Sequence, residues 1–253
     1  MRYFAPNLPR NKHCFFDRAG GASSGNYASL NFNYSGLDSR ENIEKNIAVA
    51  AGYFNLPPAA LTLSHQGFTG IANFADRPLG LTLTGDALVT TVPGNILGIR
   101  TADCAPVLLA DFRSGVIGAA HGGWRSALNG IVENTVRLMT EHGADASQII
   151  AAVGPCLGQK SFEAGDDMRS LFTDKDKSFA AYFSPAPSDA SRFLFNLETF
   201  IADRLKACGI SDISLSGIDT RENTDFFSYR RACQTRTMTM PKDFGVQLST
   251  ITL

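Results

Sequence analysis

Residues 99–130 read IRTADCAPVLLADFRSGVIGAAHGGWRSALNG, and the organisation of the chain follows from them. Val107-Leu108-Leu109-Ala110 is apolar and closed by Asp111 and a Gly-containing turn; Val116-Ile117-Gly118-Ala119-Ala120 repeats the pattern. Both runs are too short for helices and read as strands buried on both faces. From Ser126 the period changes. Leu128, Ile131, Val132, Thr135, Val136 and Met139 fall on one face of a 3.6-residue helix, so one helix is expected from there to His142-Gly143. His121 then ends a strand, and Gly122-Gly123 turns the chain into that helix. Glycine allows close backbone approach to a ligand, and helix-start N–H groups favour anions. Cys104 precedes the first strand. A thiol and an imidazole beside such a turn can form a reaction centre, although each alone reads equally as a packed Cys and a hydrogen-bonded structural His.

Working outward, His13 to Phe16 reads as a first strand, and Gly20 to Asn33 as a polar loop able to hold a substrate beside Arg18. Asp38 and Glu41 resemble a capping box before a helix that Leu56-Pro57-Pro58 ends. Ala60 to Ser64 alternates as a strand that continues to His65, and Ala72 to Leu83 gives mixed signals. Asp86 to Val92 and Ile96 to Arg100 read as strands joined at Pro93-Gly94-Asn95. Further strands are expected at Ile149 to Val153, Phe193 to Phe195 and Ile213 to Leu215, with an Asn196-capped helix ending at Gly209. Residues 162–190 read as a helix and a polar, Pro-containing loop, and residues 219–231 as a polar loop with an aromatic cluster.

The chain has 253 residues, 44% of them hydrophobic, enough for a sizeable core in one domain. No repeat or linker divides it, so residues 1–253 are expected to form one α/β (α+β) domain with helices outside mixed sheets. A net charge of −1 points to neither nucleic acid nor a charged membrane surface, and no apolar run is long enough to span a bilayer. Met1 to Lys12 lacks the apolar centre of a secretory signal. Five widely spaced cysteines without a CxxC pair argue against a disulfide framework, and a cytoplasmic location is expected.

Thr101 to Asp111, Ala119 to Val132 and Ala151 to Gly165 resemble successive signatures of the YfiH-type laccase-domain family, also called the multicopper polyphenol oxidase family. Segments Arg18 to Ser23, Asn26 to Asn31, Gly85 to Thr90 and Phe226 to Arg231 are similar to other parts of its pattern. The resemblance runs almost end to end and implies two sheets layered together. It implies a zinc-dependent purine nucleoside enzyme that splits adenosine, inosine, guanosine and methylthioadenosine with phosphate and deaminates adenosine. Copper-dependent polyphenol oxidation and editing of peptidoglycan precursors are also linked to the family. Its metal ligands are two histidines and one cysteine, which implies Cys104 and His121 here. The third ligand departs from the pattern: where the family reads Gln-Val-His and a small residue, this chain reads Leu63-Ser64-His65-Gln66-Gly67. His65 is the expected third ligand if a bulge restores its direction; a one-residue slip otherwise turns it to the opposite face.

The candidate catalytic residues are therefore Cys104, His121 and Asp103, the last as a base, a partner to the ligands or a plain loop carboxylate. Arg18 and Arg125 are candidate phosphate holders, since guanidinium forks suit phosphate. Cys156 is expected to be structural. Two readings of other classes stay open: a metal-independent cysteine hydrolase with Cys104 as nucleophile and His121 as base, and a non-enzymatic protein with a structural zinc.

Overall fold

The computed structural model describes residues 2–187 and 189–253. In chain order its elements are β1 (His13–Phe15), α1 (Arg40–Gly52), β2 (Leu61–His65), β3 (Ala72–Phe74), β4 (Gly80–Thr84), β5 (Ala87–Thr90), β6 (Ile96–Thr101), β7 (Ala105–Asp111), β8 (Val116–Gly122), α2 (Trp124–Leu128) and α3 (Ile131–Glu141). There follow β9 (Ile150–Val153), β10 (Glu163–Gly165), α4 (Asp166–Lys175), β11 (Phe183–Ala186), β12 (Asp189–Phe195), α5 (Leu197–Ala207), β13 (Asp212–Leu215), α6 (Tyr229–Thr235) and β14 (Gln247–Thr252).

Two mixed sheets carry the fold. One has the order β13-β9-β7-β8-β5-β3 and the other β1-β14-β6-β2-β4. The two runs of the opening stretch form the centre of the first, paired antiparallel from Ala105 opposite Gly122 to Asp111 opposite Val116. Every residue of both strands is buried, as expected of strands covered on both faces. Alternation divides their side chains between two cores. Leu108, Ala110, Ile117 and Ala119 meet Leu97, Ile99 and Ile251 of the second sheet. Val107, Leu109, Val116 and Ala120 point the other way, to Ile131, Val132, Val136 and Met139 of α3 and to Phe200, Ile201 and Leu205 of α5. The far face of the second sheet packs Leu61, Leu63, Ile96 and Leu248 against Ala50 and Ala51 of α1. The result is helix, sheet, sheet, helix, with the helices outside as the sequence implies.

Three local expectations are corrected, and a fourth is refined. The single helix from Ser126 is two helices, because Gly130 adopts φ +82° and breaks the hydrogen-bond ladder after Asn129. α1 is capped by Ser39, whose hydroxyl accepts from Asn42 N–H at 3.1 Å; Asp38 instead ties Ser23, Asn31 and Asn42 together. The turn expected at Pro93-Gly94-Asn95 is present, and what the sequence did not show is that it carries the chain from one sheet to the other, β5 and β6 lying in different sheets. The expected loop up to residue 190 contains β11 and the start of β12, in a three-stranded sheet of order β10-β12-β11, and its Ser188 lies outside the described residues.

β6 belongs to one sheet and β7 to the other, so Ala102, Asp103 and Cys104 span the gap between the layers. Among the described residues no helix is long and apolar enough to cross a membrane.

Candidate active site

Cys104 lies where the chain passes between sheets, and His121 lies at the end of the strand paired with β7, opposite Pro106. Register alone therefore brings the two together. Both side chains line the same cavity, the Cys104 sulfur lies close enough to act on the charge of the imidazole, and the His121 ring is buried. A Cβ on Gly123 would stand 3.2 Å from the Cys104 sulfur and 2.9 Å from the Phe68 ring, so the turn after β8 needs a residue without a side chain. Here the glycine serves close packing at the thiol, not a positive φ.

The other ring nitrogen of His121, Nδ1, donates to Oδ1 of Asp86 at 2.7 Å. Asp86 is fully buried. Its carboxylate also accepts from the backbone N–H groups of Gly67, Phe68 and Thr69 and from the Thr69 hydroxyl. Burial pushes the Asp86 carboxyl up, but the His121 and Thr69 bonds outweigh that and hold it below its ordinary value. Burial likewise pulls His121 down, yet the Cys104 sulfur and the Asp86 carboxylate together raise it to about 9. Both neighbours thus favour the protonated imidazole over the neutral one. Asp86 also fixes Phe68, which takes φ +60° and sets its ring 5.1 Å from that of His121. A bulky residue in the left-handed region is uncommon and marks a constrained site.

These residues line a cavity of about 570 Å³, a volume typical of small-molecule sites. Its walls include Phe68, Trp124, Phe162, Tyr229 and Phe244, with the cations Arg100, Arg125, Arg230 and Lys242. Trp124 and Arg125 open α2, and the Arg125 guanidinium lies 3.9 Å from the Trp124 ring centroid. Arg230 donates to the carbonyls of Ser161 and Glu163 and so braces the wall.

The remaining sequence candidates are distributed differently. Asp103 is buried and lines the cavity, but its carboxylate accepts from Thr220 Oγ1 at 2.6 Å and from Arg230 N–H at 2.6 Å. With φ +90° it tethers the crossover loop to residues 220 and 230, and the carboxylate that orients His121 is Asp86. Burial pushes the Asp103 carboxyl up. Arg18 does not reach this cavity. Its Nε donates to Ala28 O at 2.6 Å, it stacks on Phe227, and it lines a neighbouring cavity of about 300 Å³ with Arg231. Cys156 is buried and inert, its thiol pushed well up by burial.

His65 is also not brought to Cys104. It closes β2 exposed to solvent, while the next residue, Gln66, lines the cavity. The β2–β4 pairing does contain an irregularity, between Leu63 and Ser64, but it leaves His65 facing outward. Gln66 donates to Arg100 O at 2.7 Å and accepts from Arg100 N–H at 2.9 Å, so both ends of its amide are occupied. The other histidines are structural: His13 accepts from Ala5 N–H and is hydrogen-bonded to Pro9 O, and His142 stacks on Phe74. Among the described residues no group of three or more His, Cys, Asp and Glu side chains gathers to hold a metal ion. Cys104 Sγ and His121 Nε2 are two donors; a catalytic zinc takes three protein ligands and glutamine is not a usual one. The donor set of this chain does not fit the zinc that the family resemblance implies.

Asp86, the carboxylate that orients His121, was not singled out in the sequence; its signal was a carboxylate heading an apolar strand within the family-like segment Gly85 to Thr90.

The comparisons with known proteins agree with one another. A family model described as multi-copper polyphenol oxidoreductase laccase matches residues 12–251. A protein of Deinococcus radiodurans named purine nucleoside phosphorylase is 38% identical over 229 residues, covering 90% of this chain and 86% of its own. One of Haemophilus influenzae with the same name is 32% identical over 234 residues, covering 92% and 94%. A crystal structure of a Neisseria meningitidis protein superimposes with a TM-score of 0.85 at 28% identity, covering 100% of this chain and 98% of its own. With the crossover cysteine, the strand-end histidine and the layered sheets in place, the chain belongs to the multi-copper polyphenol oxidoreductase laccase family, of YfiH type.

Proposed function

We propose that the chain is a purine nucleoside phosphorylase whose reaction centre is Cys104 and His121, acting on nucleosides such as adenosine and inosine. Inorganic phosphate attacks ribose C1′ as the bond to the purine nitrogen breaks, giving ribose 1-phosphate and the free base. The observation that carries the reading is an imidazole held by a buried carboxylate in one cavity with aromatic walls and several arginines. The His121 imidazolium can hydrogen-bond or protonate the departing purine, and Asp86 keeps the ring oriented for it. Phe68 and Trp124 offer faces for the base, and the arginines of the cavity, Arg125 among them, offer forks for anionic groups. The relatives named purine nucleoside phosphorylase support the same reaction class. No step is assigned to zinc or copper, because the donors gathered at the site number two. The location proposed is the cytoplasm, where both substrates occur.

One observation favours a second reading. Asp86, His121 and Cys104 are linked in series, the arrangement of a cysteine hydrolase in which the imidazole serves the thiol. Product analysis separates the two. Purified protein is mixed with adenosine, inosine, guanosine and methylthioadenosine, with and without phosphate. Phosphorolysis gives free base only with phosphate, and base release that ignores phosphate would overturn it; ammonia release from adenosine would add the deamination that the family resemblance implies.

A further inference from the structure

Arg100 stands on β6, facing the cavity. Its guanidinium donates once, from Nη2 to Ser64 O at 3.0 Å, and lies 5.2 Å from the ring centroid of Tyr34. Its Nε is buried with no hydrogen-bond partner, and no carboxylate among the described residues pairs with it. Burial pulls its pKa down, the mark of a charge deprived of water. Proteins pair such charges, because an unpaired buried cation is costly. The carboxylate that does line the cavity, Asp103, is spent on Thr220 and Arg230. Close by, the loop bearing Asn33 and Ser35 is tied to the Lys242 and Phe244 carbonyls through Asn33 Nδ2, so Lys242 and Ser35 share this wall. Gln66 grips the Arg100 backbone at both N–H and C=O, which fixes where the side chain starts.

We propose that Arg100 is the floor of a phosphate subsite, with Lys242 and the Ser35 hydroxyl beside it, and that a bound phosphate group supplies the missing counter-charge. For the identity of its ligand as inorganic phosphate the inference rests on the phosphorolysis reading; the 5′-phosphate of a nucleotide presents the same chemistry.

A structural arginine and an anion-binding one respond oppositely to neutralisation. Arg100→Met keeps the aliphatic stem and removes the charge. In phosphate-free buffer the Arg100→Met protein melts at or above the wild-type temperature, because an uncompensated charge has left the interior. Inorganic phosphate, added at constant ionic strength, raises the wild-type melting temperature saturably and binds by calorimetry. Arg100→Met loses that affinity at least about tenfold, as expected for removal of a charge-assisted bidentate contact. The exposed Arg113→Gln responds as wild type. Phosphate affinity unchanged in Arg100→Met overturns the subsite. So does a large loss of stability in Arg100→Met that Arg100→Lys restores without restoring phosphate binding. Adenosine 5′-monophosphate binding more tightly than adenosine, with the gain lost in Arg100→Met, assigns the subsite to the nucleotide's own phosphate. Phosphate bound through Arg100 without phosphate-dependent cleavage would overturn the phosphorylase reading and leave the subsite standing. Cleavage with an unchanged phosphate KM in Arg100→Met would do the reverse.

Discussion

Replacing Asp86 by Asn changes few atoms and should change much. Oδ1 accepts from His121 Nδ1 at 2.7 Å and from Phe68 N–H; Oδ2 accepts from Thr69 N–H, the Thr69 hydroxyl and Gly67 N–H. An amide has one oxygen, so its NH₂ must oppose one set of donors. The less costly arrangement turns the NH₂ to His121 and Phe68. The ring then gives up its Nδ1 proton, and the Phe68 N–H loses its carboxylate partner. Hydrogen bonds to a charged group contribute about 1.5–3 kcal/mol each. A net loss of about 3 kcal/mol is expected, which lowers the melting temperature by roughly 6–12 °C in a protein of this size. The pH dependence adds a signature. His121 is raised from 6.5 to about 9. Its stabilising contribution is therefore complete below the unfolded pKa and is lost as pH rises through about 9. For the wild type that amounts to about 3 kcal/mol between the two pH values, shared between Cys104 and Asp86. Asp86→Asn should flatten this slope. Turnover should fall by about 10²–10⁴, the usual contribution of a positioned acid–base group. Thermal melts from pH 6 to 10 and steady-state assays at pH 7 measure all three. A variant with wild-type melting temperature and wild-type pH slope would refute the account of Asp86.

Other consequences follow from the same geometry. Protein dialysed against a strong chelator should keep its nucleoside cleavage and show well under one zinc per chain by elemental analysis; a stoichiometric zinc lost in Cys104→Ala would restore the metal site. Gly123→Ala drives a methyl into the Cys104 sulfur and the Phe68 ring, so turnover should drop while circular dichroism stays native, and an active Gly123→Ala would show that the turn has slack. His65→Ala should leave both activity and metal content unchanged, because the side chain faces solvent beyond the cavity. A loss as severe as that of His121→Ala would reinstate His65 as a partner of Cys104.

How much of this could be read beforehand depends on the range of the interaction. Cys104 and His121 were legible because each sits at a strand end and the intervening turn is short, so one antiparallel pairing joins them. Asp86 is 35 residues from His121, and only the β5–β8 register, Ala87 opposite Ala120, makes them neighbours. Its charge could be seen in the sequence; its partner could not. Arg18 lies apart from Cys104 and His121 for the complementary reason. Its loop was recognised, but which of two adjacent cavities a loop residue enters is set by packing against Phe227. The slip at His65 was visible as a departure from the family pattern, and alternation along β2 decided it: Gln66 faces the cavity and His65 does not. Arg100 attracted no attention as one more charged residue in a strand. Only its buried Nε, without a hydrogen-bond partner among the described residues, distinguishes it.

Phosphorus NMR of inosine mixed with inorganic phosphate and metal-depleted protein tests the central claim most directly. A ribose 1-phosphate resonance should grow with time, equal in amount to the hypoxanthine released, and should be absent with Cys104→Ala protein. Hypoxanthine released without ribose 1-phosphate, or equal signals from wild type and Cys104→Ala, would contradict a phosphorylase centred on Cys104 and His121.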